Sequence, residues 1–134
     1  MNRTLTAVLA DDHAAVLERA SQCLSPVCEI LAAVSDGTAA VEAIMRLHPD
    51  IAVLDIAMPR LNGIEVAREV KLQGCDTKVV FLTVQEDEDY ISAALETGAL
   101  GYVLKGRMRS DLVHAIENAV DGVIFISSRR QHLH

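Results

Sequence analysis

The 134 residues suffice for one ordinary domain, and an apolar share of 51% with a charged share of 23% excludes a disordered chain. The formal net charge of −7 weighs against nucleic-acid binding by this segment, because phosphate backbones select basic surfaces. No apolar run reaches membrane-spanning length and no signal-peptide core opens the chain, so the expected location is cytoplasmic, with no membrane partner. Aromatics are scarce and Trp is absent, so the core must be Val, Leu, Ile and Ala, which suits a parallel sheet covered by helices. Cys23, Cys28 and Cys75 show no metal-ligand spacing and read as reduced, packed thiols.

Two periods alternate along the chain. The first apolar run predicts a strand over Leu5–Ala10, closing on Asp11 and Asp12. A helix follows with Val16, Leu17, Ala20, Cys23 and Leu24 on one face, and Asp12 or His13 fits its N-cap. A second strand is expected over Glu29–Val34, then a helix carrying Val41, Ile44, Met45 and His48 and ended by Pro49. The third strand, Ile51–Leu54, closes on Asp55. Its helix carries Val66, Ala67 and Val70 and ends near Gly74. The fourth strand spans Lys78–Thr83, followed by a helix with Ile91, Ala94, Leu95 and Gly98. The fifth strand, Gly101–Leu104, runs into Lys105. The last helix carries Leu112, Val113, Ile116, Ala119 and Val120 and ends at Gly122. One domain is expected over residues 1–126, with 127–134 starting a linker or tail in which Arg129 and Arg130 are solvated.

Strict strand-then-helix alternation implies an α/β fold with right-handed crossovers. Five units predict a doubly wound, flavodoxin-like parallel sheet in the order 2-1-3-4-5. Strands 1 and 3 then lie side by side, and Asp11, Asp12 and Asp55 share the crevice at their carboxyl ends. Thr83 and Lys105 end the next two strands nearby. Clustered carboxylates suit Mg²⁺, which takes hard oxygen ligands. A carboxylate can also accept a phosphoryl group as an acyl phosphate, which makes Asp55 the nucleophile candidate. Lys105 offers a point charge and Thr83 a hydroxyl for the phosphoryl oxygens. Each residue alone has a blander reading: Asp12 as a cap, Thr83 as an ordinary strand residue, Lys105 as a solvated lysine. Asp55 resists one, since Asp is depleted in strands and rarely buried unpaired. His13 has no second His or Cys at ligand spacing and reads as a loop or first-turn residue.

The set Ala10-Asp11-Asp12-His13, Val53-Leu54-Asp55-Ile56-Ala57-Met58-Pro59, Asn62-Gly63, Leu82-Thr83 and Gly101-Tyr102-Val103-Leu104-Lys105 resembles the receiver domain of two-component response regulators, a CheY-like (βα)5 fold. The Asp-Asp-His start, Glu86-Asp87-Glu88-Asp89-Tyr90 and the Gly-Tyr-Val-Leu-Lys ending resemble the NarL/FixJ (LuxR-type) branch. The resemblance implies that Asp55 is the phosphoacceptor. It implies that Asp11, Asp12, Asp55 and the backbone carbonyl of Ala57 hold Mg²⁺. It assigns Thr83 and Lys105 to the phosphoryl group, and Thr83 and Tyr102 to a switch in which the tyrosine ring moves inward. A tyrosine has a wet end and a dry ring, so two positions are plausible on physical grounds, and a static strand tyrosine fits the residue equally well. The implied partners are a sensor histidine kinase, a second copy of the chain on phosphorylation, and DNA through a helix-turn-helix output domain beyond this chain. Such a protein is not a conventional enzyme, although it catalyses its own phosphoryl transfer and slow dephosphorylation.

Val84, Gln85 and Gly106 depart from the common pattern. Val84 narrows access to the acyl phosphate, Gly106 loosens the lysine loop, and Gln85 could orient a water. A phosphatase resembling the haloacid dehalogenase family would need a general acid where Ala57 stands. A flavin module would need a phosphate loop where the acids stand, and the intact acid set weighs against a receiver that never takes phosphate.

Overall fold

The structure is a computed structural model and describes residues 4–127. Strands β1 (Leu5–Ala10), β2 (Cys28–Val34), β3 (Ile51–Leu54), β4 (Lys78–Thr83) and β5 (Gly101–Leu104) alternate with helices α1 (Ala14–Leu24), α2 (Gly37–Leu47), α3 (Gly63–Leu72), α4 (Glu88–Glu96) and α5 (Met108–Val120). A 3-10 turn, Lys105–Arg107, joins β5 to α5, and a short sixth strand, β6 (Phe125–Ile126), follows α5. All paired strands are parallel, in the order β2-β1-β3-β4-β5-β6. The expected order 2-1-3-4-5 therefore holds, with one strand added at the β5 edge. Of residues 127–134, where a linker or tail was expected to start, Ser127 is described and is buried against Tyr102 and Asp111, whereas 128–134, with Arg129 and Arg130, lie outside the described residues.

The strands bury both faces, which is why their sequences are apolar throughout rather than alternating with polar residues. Successive side chains still point to opposite faces. Val8, Ala52, Leu54, Phe81 and Tyr102 pack with α2, α3 and α4, whereas Leu9, Ile51, Val53, Leu82 and Val103 pack with α1 and α5. Two thin aliphatic cores result, one on each side of the sheet.

Helix ends follow local chemistry. α2 stops at His48, which takes φ 47 and gives its N–H to the Ile44 carbonyl at 2.9 Å. Pro49 enforces that stop by disfavouring helical geometry in the residue before it. His48 is thus a C-cap rather than a member of the helix face. At α1, His13 occupies the N-cap position, yet its side chain caps no amide. The expected cap is replaced by a turn in which Asp11 Oδ1 accepts the His13 N–H at 2.8 Å.

α3 is fastened most firmly. Asn62 Oδ1 accepts the Glu65 N–H at 2.8 Å, and Glu65 Oε1 accepts the Asn62 N–H at 2.9 Å, a reciprocal capping box. Asn62→Ala is expected to cost about 1 kcal/mol, the usual worth of an N-cap. Urea unfolding should show a lower midpoint at unchanged slope, and an unmoved midpoint would refute the assignment.

Candidate functional site

The site stands at the carboxyl edge of β1, β3, β4 and β5. β1 and β3 run in register up to Ala10 opposite Leu54. The Asp55 N–H then donates to the Ala10 carbonyl at 3.0 Å, and the Asp11 N–H to the Val34 carbonyl at 3.0 Å. These bonds extend the ladder one residue past each strand, so both aspartates leave the sheet with fixed backbones. Asp11 and Asp55 are each 3% exposed. Asp12, the next residue, is exposed beside them.

Lys105 reaches this crevice from the end of β5. Its Nζ donates to Asp55 Oδ2 at 3.0 Å and lies 2.8 Å from Asp11 Oδ2. The second contact is an ion pair, so a single ammonium is shared between two buried carboxylates. Burial pushes the Asp55 carboxyl above its ordinary value; the Lys105 hydrogen bond opposes that, the Asp11 charge adds to it, and Thr83 lowers it slightly. Burial works against the charge on Lys105, but hydrogen bonding and attraction from Asp11 and Asp55 prevail and raise its pKa. One lysine therefore leaves two buried acids incompletely compensated.

His13 joins the cluster. Its Nδ1 lies 3.2 Å from Asp11 Oδ1 and 3.1 Å from Asp12 Oδ1. Asp11, Asp12, His13 and Asp55 each offer a ligand atom within 4.8 Å of the others, an arrangement that could hold a metal ion. Ligand spacing along the chain could not reveal His13, because its neighbours in the cluster are carboxylates rather than His or Cys. Ala57 lies exposed on the loop after β3.

Thr83 ends β4 and is fully buried. Its Oγ1 accepts the Gln85 N–H at 3.3 Å. Tyr102 is also fully buried, and its hydroxyl donates to the Gln85 carbonyl at 2.9 Å. Its ring packs against Phe81 at a centroid distance of 6.4 Å. Burial, with Tyr90, Asp55 and Asp87 nearby, drives the phenol well above its ordinary pKa, so it remains a donor. The ring is thus turned inward, as a static strand tyrosine and the inward position of a switch would both have it. Both backbone groups of Gln85 are used, linking Thr83 to Tyr102, a role for the main chain that its side chain did not advertise. Val84 is 65% exposed on the rim.

A family model described as "Response regulator receiver domain" matches residues 7–117. The chain belongs to the response regulator receiver domain family. Receiver domains are signalling modules rather than conventional enzymes. Over 127 residues this receiver is 35% identical to "Transcriptional regulatory protein DegU" of Brevibacillus brevis, covering 93% of this chain and 54% of that protein. It is 31% identical to "Oxygen regulatory protein NreC" of Staphylococcus epidermidis, covering 91% of this chain and 57% of that protein. Among solved structures, it is similar to the signal receiver domain of the putative response regulator NarL from Mycobacterium tuberculosis. That match has a TM-score of 0.86 at 30% identity and covers 90% of this chain and 99% of that one. The receiver is thus of the NarL/DegU type, and the chain spans about half the length of the curated relatives it matches. Among the described residues no helix is long and apolar enough to cross a membrane.

Proposed function

We propose that Asp55 accepts a phosphoryl group from a phosphohistidine on a sensor histidine kinase. A carboxylate oxygen of Asp55 forms the new P–O bond as the donor P–N bond breaks, and the electron pair of that bond stays on the imidazole nitrogen. Slow hydrolysis reverses the state. A water oxygen bonds to phosphorus, the acyl P–O bond breaks, and Asp55 returns to a carboxylate with release of inorganic phosphate and a proton. The observation that carries this reading is the buried Asp55 carboxylate at the end of β3, bonded to Lys105 and facing the second buried acid, Asp11. Lys105 holds its proton and offers charge to the phosphoryl oxygens, and Thr83 offers its hydroxyl.

Mg²⁺ fits the donor set: hard carboxylate oxygens gathered within 4.8 Å, of which the two buried acids share one lysine between them. Asp11, Asp12, Asp55 and the Ala57 carbonyl would hold it. When bound, the ion supplies positive charge against the phosphoryl oxygens. His13, a nitrogen donor less suited to Mg²⁺, serves Asp11 as a hydrogen-bond partner and lies beside Asp12.

In this reading, a phosphoryl oxygen on Asp55 accepts from the Thr83 hydroxyl and draws that side chain, whose oxygen accepts from the Gln85 N–H, toward Asp55. The Gln85 backbone passes the change to Tyr102 and so to the face of α4, β5 and α5, altering self-association or contact with an output domain. That output domain would bind DNA in a cytoplasmic regulator of transcription. Incubation with Mg²⁺ and a small acyl-phosphate donor is expected to add one phosphoryl mass to the wild type and none to Asp55→Asn. A wild type that gains no mass, or an Asp55→Asn variant that still gains it, overturns the reading.

A further inference from the structure

The turn that carries Lys105 has little packing of its own. A Cβ added at Gly106 would meet nothing within 4 Å among the described residues. Gly106 and Arg107 are both exposed. Yet Lys105 is held against two acids with its side chain only 12% exposed. A lysine stem is flexible, so its aim depends on how firmly its backbone is fixed.

Groups outside the acid cluster fix that backbone at both ends. Where β5 enters the turn, the Leu104 N–H donates to Ser127 Oγ at 3.1 Å. The Ser127 N–H donates to the Tyr102 carbonyl at 2.8 Å, so its hydroxyl supplies the next rung after the β5–β6 ladder has ended. Where the turn meets α5, the Arg107 carbonyl accepts from Ser110 Oγ at 3.2 Å and Arg107 Nε donates to Asp111 Oδ2 at 3.0 Å. The two attachments converge, because Ser127 Oγ also donates to Asp111 Oδ2, at 2.7 Å. Ser110 Oγ occupies the other oxygen, donating to Asp111 Oδ1 at 2.9 Å. Asp111 is 6% exposed and Ser127 is 3% exposed. Burial alone would raise the Asp111 pKa, but Ser127, Ser110 and Arg107 overcome it and hold the carboxyl below its ordinary value. Charge-assisted bonds of this kind are shorter and stronger than neutral ones.

We propose that Asp111 and Ser127 are positioning residues for Lys105, clamping the turn at Leu104 and Arg107 and so setting where Nζ reaches. The functional consequence rests on the phosphoacceptor reading of Asp55; the clamp itself does not. Misplacing a reacting group by about 1 Å can cost roughly 100-fold in rate, so a network that never touches the reacting atoms can govern it. The same bonds tie the end of β6 to Lys105, so a displacement of β6 reaches the phosphoacceptor site through Ser127.

The test uses Asp111→Asn and Ser127→Ala, with Ser127→Thr as the variant that keeps the hydroxyl. Each is made in the wild type and in a Lys105→Ala background. Phosphorylation by an acyl-phosphate donor is followed by mass at a temperature where every variant is folded. Asp111→Asn and Ser127→Ala are expected to slow uptake roughly tenfold in the wild type, the effect of losing about one hydrogen bond to a charged group. They should add nothing in the Lys105→Ala background, and Ser127→Thr should restore the rate. NMR of the Lys105 ammonium gives a readout that needs no phosphorylation: its protected signal should be lost in the first two variants and return in Ser127→Thr. Equal slowing in both backgrounds, or an unmoved Lys105 signal, overturns the clamp. If the wild type takes no phosphoryl group, the reading of Asp55 fails while the ammonium signal still decides the clamp.

Discussion

Asp55→Asn is expected to stabilise the domain at neutral pH even as it abolishes phosphoryl uptake. Asp55 is buried and its pKa is raised above the ordinary 3.8, with burial as the leading cause. The folded state therefore binds the proton more tightly than the unfolded chain. Stability linked to this group is fully present below 3.8 and is lost as pH rises through the raised folded pKa. Asparagine keeps the shape and never ionises, so it escapes that loss. The gain should be about 1–3 kcal/mol at neutral pH, the scale of a buried polar group whose one lysine is shared with a second acid. It should fade toward pH 3–4, where both forms are neutral. Thermal melts of the two proteins across that range decide the matter. A variant less stable than wild type at neutral pH would mean that the Lys105 pair outweighs the burial cost, and would sink the argument.

The same experiment with Mg²⁺ should narrow the gap. A cation among Asp11, Asp12 and Asp55 relieves the crowding of like charge that Asn removes by other means. At a Mg²⁺ concentration about 100 times its dissociation constant, linkage adds about 2.7 kcal/mol to the wild type. Asp55→Asn, having lost a ligand, should gain less.

How much of this was legible from sequence depends on which atoms carry it. The five main strands and their helices followed from short apolar runs alternating with helical periods, and the strand order followed from the doubly wound fold that this alternation implies. Asp11, Asp12, Asp55, Thr83 and Lys105 were legible for a related reason: a polar residue closing an apolar run marks a strand end. β6 was not legible, since two residues cannot display a period and its pairing depends on the open edge of β5. Neither was the Asp111 network, whose members are 16 residues apart at Ser127 and Asp111 and unremarkable singly. The Gln85 link was hidden for another reason, because it uses backbone atoms that every residue possesses.

Gly63→Ala should be among the most damaging single changes, and it shows how a residue without a side chain can govern the site. Gly63 opens α3, and its N–H donates to the Ile56 carbonyl at 2.8 Å. A Cβ there would lie 2.1 Å from the Asp55 carbonyl oxygen and 2.9 Å from its carbonyl carbon. Backbone cannot swing aside as a side-chain tip can, so either α3 retreats or the Asp55 peptide moves. The capping box at Asn62 and Glu65 resists the first course, which throws the displacement onto Asp55. Overpacking of this kind costs about 1–3 kcal/mol, and the upper end is expected here. Phosphorylation should slow more than stability falls, because the carboxylate's aim is lost along with the packing. Gly106→Ala is the matched control: its Cβ meets nothing within 4 Å among the described residues, so the unfolding free energy from urea titration should hold or rise by about 0.4–1 kcal/mol. If Gly63→Ala unfolds at the wild-type midpoint and takes up phosphate at the wild-type rate, the close approach of α3 to Asp55 is not what holds the site.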